Sequence, residues 1–198
     1  MNNEVVDHKD FFYPPGGILI WIIIFLELFT FGIALIALVF YSKEDPVLFH
    51  ESRLQLNVTL GTINTVFLLT SGFFMVNTVH ELKQNQKLKA QKYLLVTMLF
   101  GVLFLILKSV EYNAKLDAGL TMGSNTFFTF YWMLTLFHVI HVIVGLVILI
   151  SVYVGIKKEN STTKMEDVEA SAAFWHMCDL IWLLLFPVIS FARPHVSW

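Results

Sequence analysis

His176 and Asp179 lie three positions apart within an otherwise apolar run from Phe174 to Pro187. On a helix that spacing sets both side chains on one face, one turn apart, where an imidazole and a carboxylate can share a proton or lock a packing contact. Glu27 is the only charged residue between Gly17 and Tyr41. Lys108 and Glu111 make a second pair at this spacing, His138 and His141 a third, and His80 closes another apolar run. An ionised side chain near a bilayer centre costs roughly 2.5–3.5 kcal/mol on insertion scales, so each of these groups needs a polar partner or a wet crevice. The chemistry open to them is proton carriage, metal or haem ligation, or hydrogen bonding between helices.

Depth along the helices sorts these possibilities. At the helical rise, Glu27 lies about 15 Å in from one membrane edge and Asp179 about 12–15 Å from the same edge. Glu27, His176 and Asp179 are therefore expected to form one polar patch, with His80 at its mouth. That patch serves protons or fastens the first helix to the last. His138 and His141 could share a face, but a metal needs a further ligand at the same level. His141 is about 20 Å deep and His176 only about 8–10 Å, so neither metal nor haem is expected in this chain. The two histidines read instead as hydrogen-bonded residues of a helix interface. Lys108 and Glu111 are expected to neutralise each other. No phosphate loop, nucleophile triad or two-metal carboxylate cluster occurs, so no catalytic centre is expected.

The elements that must position these residues are membrane helices. The 198 residues are 57% hydrophobic and 14% charged, with a mean hydropathy of +0.70, which excludes an ordinary soluble domain. A span needs roughly 20 apolar residues, and five occur, near 17–41, 57–80, 93–112, 127–154 and 171–192. They leave no room for an extramembrane domain, so residues 1–198 read as a single membrane domain. The aromatics Phe11, Phe12 and Tyr13 suit a headgroup region, Pro14 to Gly17 a turn, and Ser42 to Ser52 a polar loop broken by Pro46. Gly61, Thr65 and Gly72 share one face of the second span and would let another helix approach. The last span is expected to bend at Pro187 and to end at Arg193 and Pro194. The first apolar run is too long for a signal peptide and is expected to stay in the mature protein. The lone Cys178 lies inside a span, excluding an internal disulfide, and no basic patch suggests nucleic acid. Lys9, Lys83, Lys87, Lys89, Lys92, Lys157, Lys158 and Lys164 fall on one side; Lys43, Arg53, Lys115 and Arg193 fall on the other. That asymmetry predicts a cytoplasmic N-terminus and an external C-terminus.

These residues also resemble a known family. Phe127-Phe128, then Phe137-His138-Val139-Ile140-His141 through Gly145, resemble the FHGxHVxxG signature of cytochrome c oxidase subunit III. Trp175-His176 with Asp179 and Trp182 resemble its WHFxDxxW signature. Asn64, the run Leu68 to Gly72, His80, Gly101, Phe104, Glu111 and Tyr112 are similar to its other helices. The match is to the five-helix bacterial form, which lacks the first two helices of seven-helix members. The resemblance implies a non-catalytic subunit of a haem–copper terminal oxidase in the respiratory chain, held in the bacterial inner membrane. Such a subunit binds no redox cofactor and packs on the haem- and copper-bearing catalytic subunit I, with subunit II and smaller subunits as further neighbours. It holds phospholipid in a cleft and supports proton uptake and durable turnover. Glu27 is similar to the family's buried membrane carboxylate. Val139 replaces the glycine between the histidines, Lys108 stands where many members have glutamine, and Cys178 follows Met177 in the last motif. The ending Trp182 to Pro187 is also similar to subunit III-like accessory proteins of nitric oxide reductase. A small proton-conducting membrane protein built on Glu27, His176 and Asp179 is the remaining alternative.

Overall fold

The computed structural model describes residues 16–158 and 163–191. The expectations placed on Lys9, Phe11 to Pro15, Arg193, Pro194 and the chain end lie outside the described residues. Six helices follow one another: α1 (Ile18–Glu44), α2 (Pro46–Leu54), α3 (Val58–Lys83), α4 (Lys87–Asp117), α5 (Thr126–Lys157) and α6 (Met165–Phe191). All but α2 are long and apolar enough to cross a membrane, and no strand occurs among the described residues. Over the described residues the chain is therefore an all-α, multi-pass membrane protein with five spans.

The short α2 corrects the sequence reading of this segment as a loop broken by Pro46. A proline lacks an amide hydrogen, but the first turn of a helix has no intrahelical use for one. Here Pro46 occupies that turn, and the Asp45 carboxylate caps it by accepting from the Leu48 amide at 3.1 Å. Asn57 caps α3 and Asn125 caps α5 in the same way, at 3.2 and 2.8 Å. The Asn125 amide also donates to Ser52 Oγ at 3.0 Å, which ties α2 to the start of α5. Between α3 and α4 the chain reverses through Asn85, whose φ of 59° is the left-handed conformation that commonly ends a helix. Pro187 lies inside α6, which continues to Phe191.

The long α3–α4 hairpin forms one wall, α5 packs against α4, and α6 lies against α1, α3 and α5. Helix α6 is the axis of the bundle, and α1 sits outside the groove between α5 and α6. Large apolar side chains such as Leu19, Phe25, Phe29, Ile36, Phe73, Val102 and Ile150 point outward. In water such a surface would drive aggregation; in lipid it is the expected exterior. Since lipid tails are as apolar as leucine, close packing and hydrogen bonds must hold the helices together.

Both devices converge on Trp175, which is fully buried. A Cβ on Gly101 of α4 would come within 2.7 Å of the Trp175 ring, and one on Gly145 of α5 within 2.8 Å. The two glycines therefore make the slot that the indole fills. Further along α6, the small face of α3 is used as expected. Phe186 packs onto Gly61, Thr65 Oγ1 accepts from the Trp182 indole at 3.0 Å, and Asp179 covers Gly72.

Candidate functional site

Three polar groups lie inside the bundle. The first joins α1 to α5, with Glu27 Oε2 standing 3.2 Å from His141 Nε2, both side chains largely buried. His141 Nδ1 lies 2.8 Å from the Phe137 carbonyl oxygen. A carbonyl can only accept, so Nδ1 carries a hydrogen and Nε2 is left to face the carboxyl group. The two groups face each other across α1 and α5 beside the Phe31 and Phe137 rings, close enough for an ion pair, although Glu27 Oε2 makes no hydrogen bond.

The second group is on α6. His176 Nδ1 is 3.4 Å from Asp179 Oδ2, as their spacing requires. Asp179 is buried, and its Oδ1 has no protein hydrogen-bond partner, while the His176 side chain is 40% exposed. A Cβ on Gly72 would collide with Asp179 Oδ2, so α3 needs a glycine there for the carboxyl group to lie flat against it. His176 opens into a cavity of about 360 Å³ between α1, α3 and α6. Trp21, Val76 and Ala172 give that cavity apolar walls, and His80, Lys83 and Glu169 stand at its polar end. Lys83 and Glu169 bridge α3 and α6 there at 2.8 Å. His80 pairs along its own helix with Gln84, 2.9 Å away.

The third group lies toward the opposite end of the bundle. Lys108 Nζ donates to Glu111 Oε2 at 2.8 Å, Lys115 Nζ is 3.2 Å from Glu111 Oε1, and the Tyr131 hydroxyl donates to the same Oε1 at 2.7 Å. The Lys108 ammonium also faces the Trp182 ring at 5.0 Å and the Tyr112 ring at 5.2 Å, contacts in which an aromatic face stabilises a cation.

The expected residues are therefore brought together differently in two respects. Glu27 meets His141 rather than His176 and Asp179, because helical rise gives depth while leaving the facing direction open. His138 is buried without a protein hydrogen-bond partner at either ring nitrogen. It is packed as an aromatic, with the Trp182 ring 5.4 Å away and the Phe104 ring 5.7 Å away. Among the described residues no group of three or more His, Cys, Asp or Glu side chains could hold a metal ion. Sequence reasoning missed Lys115, placed beyond the third span but buried on the extended end of α4. Its spacing of four from Glu111 was the available signal. Tyr131, on the next helix, gave none.

Comparison with known proteins agrees with this architecture. The family model "Cytochrome c oxidase subunit III" matches residues 18–192. A cytochrome c oxidase subunit 3 from Synechocystis sp. is 32% identical over 84% of this chain and 68% of its own length. One from Mycosarcoma maydis is 32% identical over 64% of this chain, and the match spans 46% of that relative. A heme-copper oxidase subunit I+III from Aeropyrum pernix is 27% identical over 85% of this chain and 22% of its own length. The region matched by the family model runs through all five spans, including the slot for Trp175 and the Glu27–His141 contact. This chain belongs to the cytochrome c oxidase subunit III family.

Proposed function

We propose that the chain is a non-catalytic subunit of a haem–copper terminal oxidase, docked in the bacterial inner membrane on the subunit that carries haem and copper. The family match over residues 18–192 carries this reading, and the relative that joins subunits I and III in one chain supports catalytic subunit I as the immediate neighbour. Subunit II and smaller subunits would lie further off. No redox cofactor is assigned to this chain, and the basic residues set the orientation with α1 starting on the cytoplasmic side.

Two roles follow from the geometry. The cavity between α1, α3 and α6 has apolar walls and a charged rim, the lining an acyl chain and headgroup require, so it is assigned to a phospholipid. The Glu27–His141 pair sets a carboxyl group against an imidazole, two groups able to exchange a proton, in an apolar wall. An apolar bundle needs neither group, and the pair is assigned to support of proton uptake by the partner. A tag on this chain should co-purify, in mild detergent, a subunit with haem absorbance and oxygen-reducing activity. Recovery of the chain alone would overturn the reading; recovery of a nitric oxide-reducing partner would move it to the accessory branch.

A further inference from the structure

The cluster around Lys108 has no place in that reading, and its charges do not balance. Lys108, Glu111 and Lys115 are 2%, 6% and 4% exposed. Two lysines therefore share one carboxyl group inside the bundle. Glu111 already has Lys108, Lys115 and the Tyr131 hydroxyl as partners. Beyond Glu111, Lys108 Nζ meets only neutral groups: it donates to the Tyr131 hydroxyl at 3.3 Å and faces the rings of Tyr112, Tyr131 and Trp182. Aromatic faces stabilise a desolvated cation by well short of what burying a lone charge requires.

Beside this cluster is a cavity of about 20 Å³, lined by Lys108, Glu111, Tyr131, Thr135 and Trp182. That is room for one water-sized particle. The first turn of α3 at Asn57 and the last turn of α6 at Ser190 also reach it. Their helix dipoles have opposite sense there and offset one another, so the lysines decide the sign of the site.

We propose that this cavity is a binding site for one small monovalent anion of halide size, held by the Lys108 ammonium and balancing the second lysine. Tyr131 and Thr135 line the same space, but their hydroxyl hydrogens go to Glu111 and to the Tyr131 carbonyl, which leaves the Lys108 ammonium as the donor. An anion there leaves Glu111 with its three donors and gives the bundle a neutral cluster. This inference does not depend on the partner or on proton uptake.

The test uses the full chain in detergent, with chloride replaced by gluconate and sodium bromide titrated at constant ionic strength. Wild type should show a saturable rise in unfolding temperature, and bromide-soaked crystals should show an anomalous peak beside Lys108 Nζ. Lys108→Gln keeps a donor for Glu111 but loses the charge, and should weaken the bromide response at least about tenfold, the loss expected from one charged hydrogen bond. Lys115→Gln should abolish the charge excess and weaken the response similarly. An unchanged response in both variants overturns the proposal. So does a wild type with neither a saturable shift nor an anomalous peak, which would mean water alone. Should either variant fail to fold, the anomalous peak in wild type decides.

Discussion

The Trp175 indole N–H donates to Ser71 Oγ at 3.0 Å, across 104 positions of the chain. Ser71 in turn donates to the Thr97 carbonyl at 2.8 Å, so one hydroxyl joins α6, α3 and α4. Hydrogen bonds between membrane helices contribute about 0.6–1.7 kcal/mol each. Ser71→Ala should therefore lower the unfolding free energy in detergent by about 1–2 kcal/mol. Trp175→Ala, which also empties the slot, should cost about 3–5 kcal/mol. If Ser71→Ala unfolds with wild type, the relay contributes nothing.

The slot itself predicts an asymmetry among glycines. Gly101→Ala and Gly145→Ala would press a methyl group into the Trp175 ring, and overpacking of this kind costs about 1–3 kcal/mol. A methyl group added at Gly32 of α1 would have nothing within 4 Å, so Gly32→Ala should leave the isolated chain as stable as wild type or slightly more so. Equal losses at all three positions would show that room for the indole does not decide the effect.

Coupling between Glu27 and His141 can be read from a double-mutant cycle. Glu27→Ala and His141→Ala together should destabilise the chain by about 0.5–2 kcal/mol less than the two single changes summed, since each removes the other's partner. The proton reading asks for more. Glu27→Gln should assemble normally but lower turnover or displace its pH dependence, because an amide cannot titrate. Unchanged yield, turnover and pH profile would leave the pair a fastener between α1 and α5.

Orientation is checked by reporter fusions at the two ends of α4. Lys89 follows a lysine-rich reversal and Gly119 lies at the other end of the helix. The basic asymmetry predicts a cytoplasmic reporter at Lys89 and an external one at Gly119. The opposite pattern would reverse the whole bundle.

The five spans were legible because length and hydropathy alone specify them, and Lys108 with Glu111 because helix geometry fixes neighbours three apart. The short α2 was not, since a proline inside a polar stretch marks a stop and a start equally well. Glu27's partner was hidden for a related reason. Sequence gives each residue's height along its helix, while the direction it faces depends on how α1 settles between α5 and α6. His138 was misjudged because a buried imidazole reads as a hydrogen-bonding group, and here its flat ring fills space between Phe104 and Trp182. Trp175 and Ser71 belong to motif-bearing stretches, yet only the packed bundle shows that Gly101 and Gly145 make room for the indole.

Helix α1 touches α2, α5 and α6 but makes no comparable contact with the α3–α4 hairpin. During synthesis α1 enters the membrane well before the surfaces that receive it exist, whereas α3 and α4 can pair as soon as both are made. Helix α1 therefore lacks its α5 and α6 contacts until those helices have been made. In that interval the Glu27 carboxyl group has no imidazole beside it. Docking of α1 is thus the step that brings carboxyl and imidazole together, and the pair comes into being only when the groove for α1 is complete.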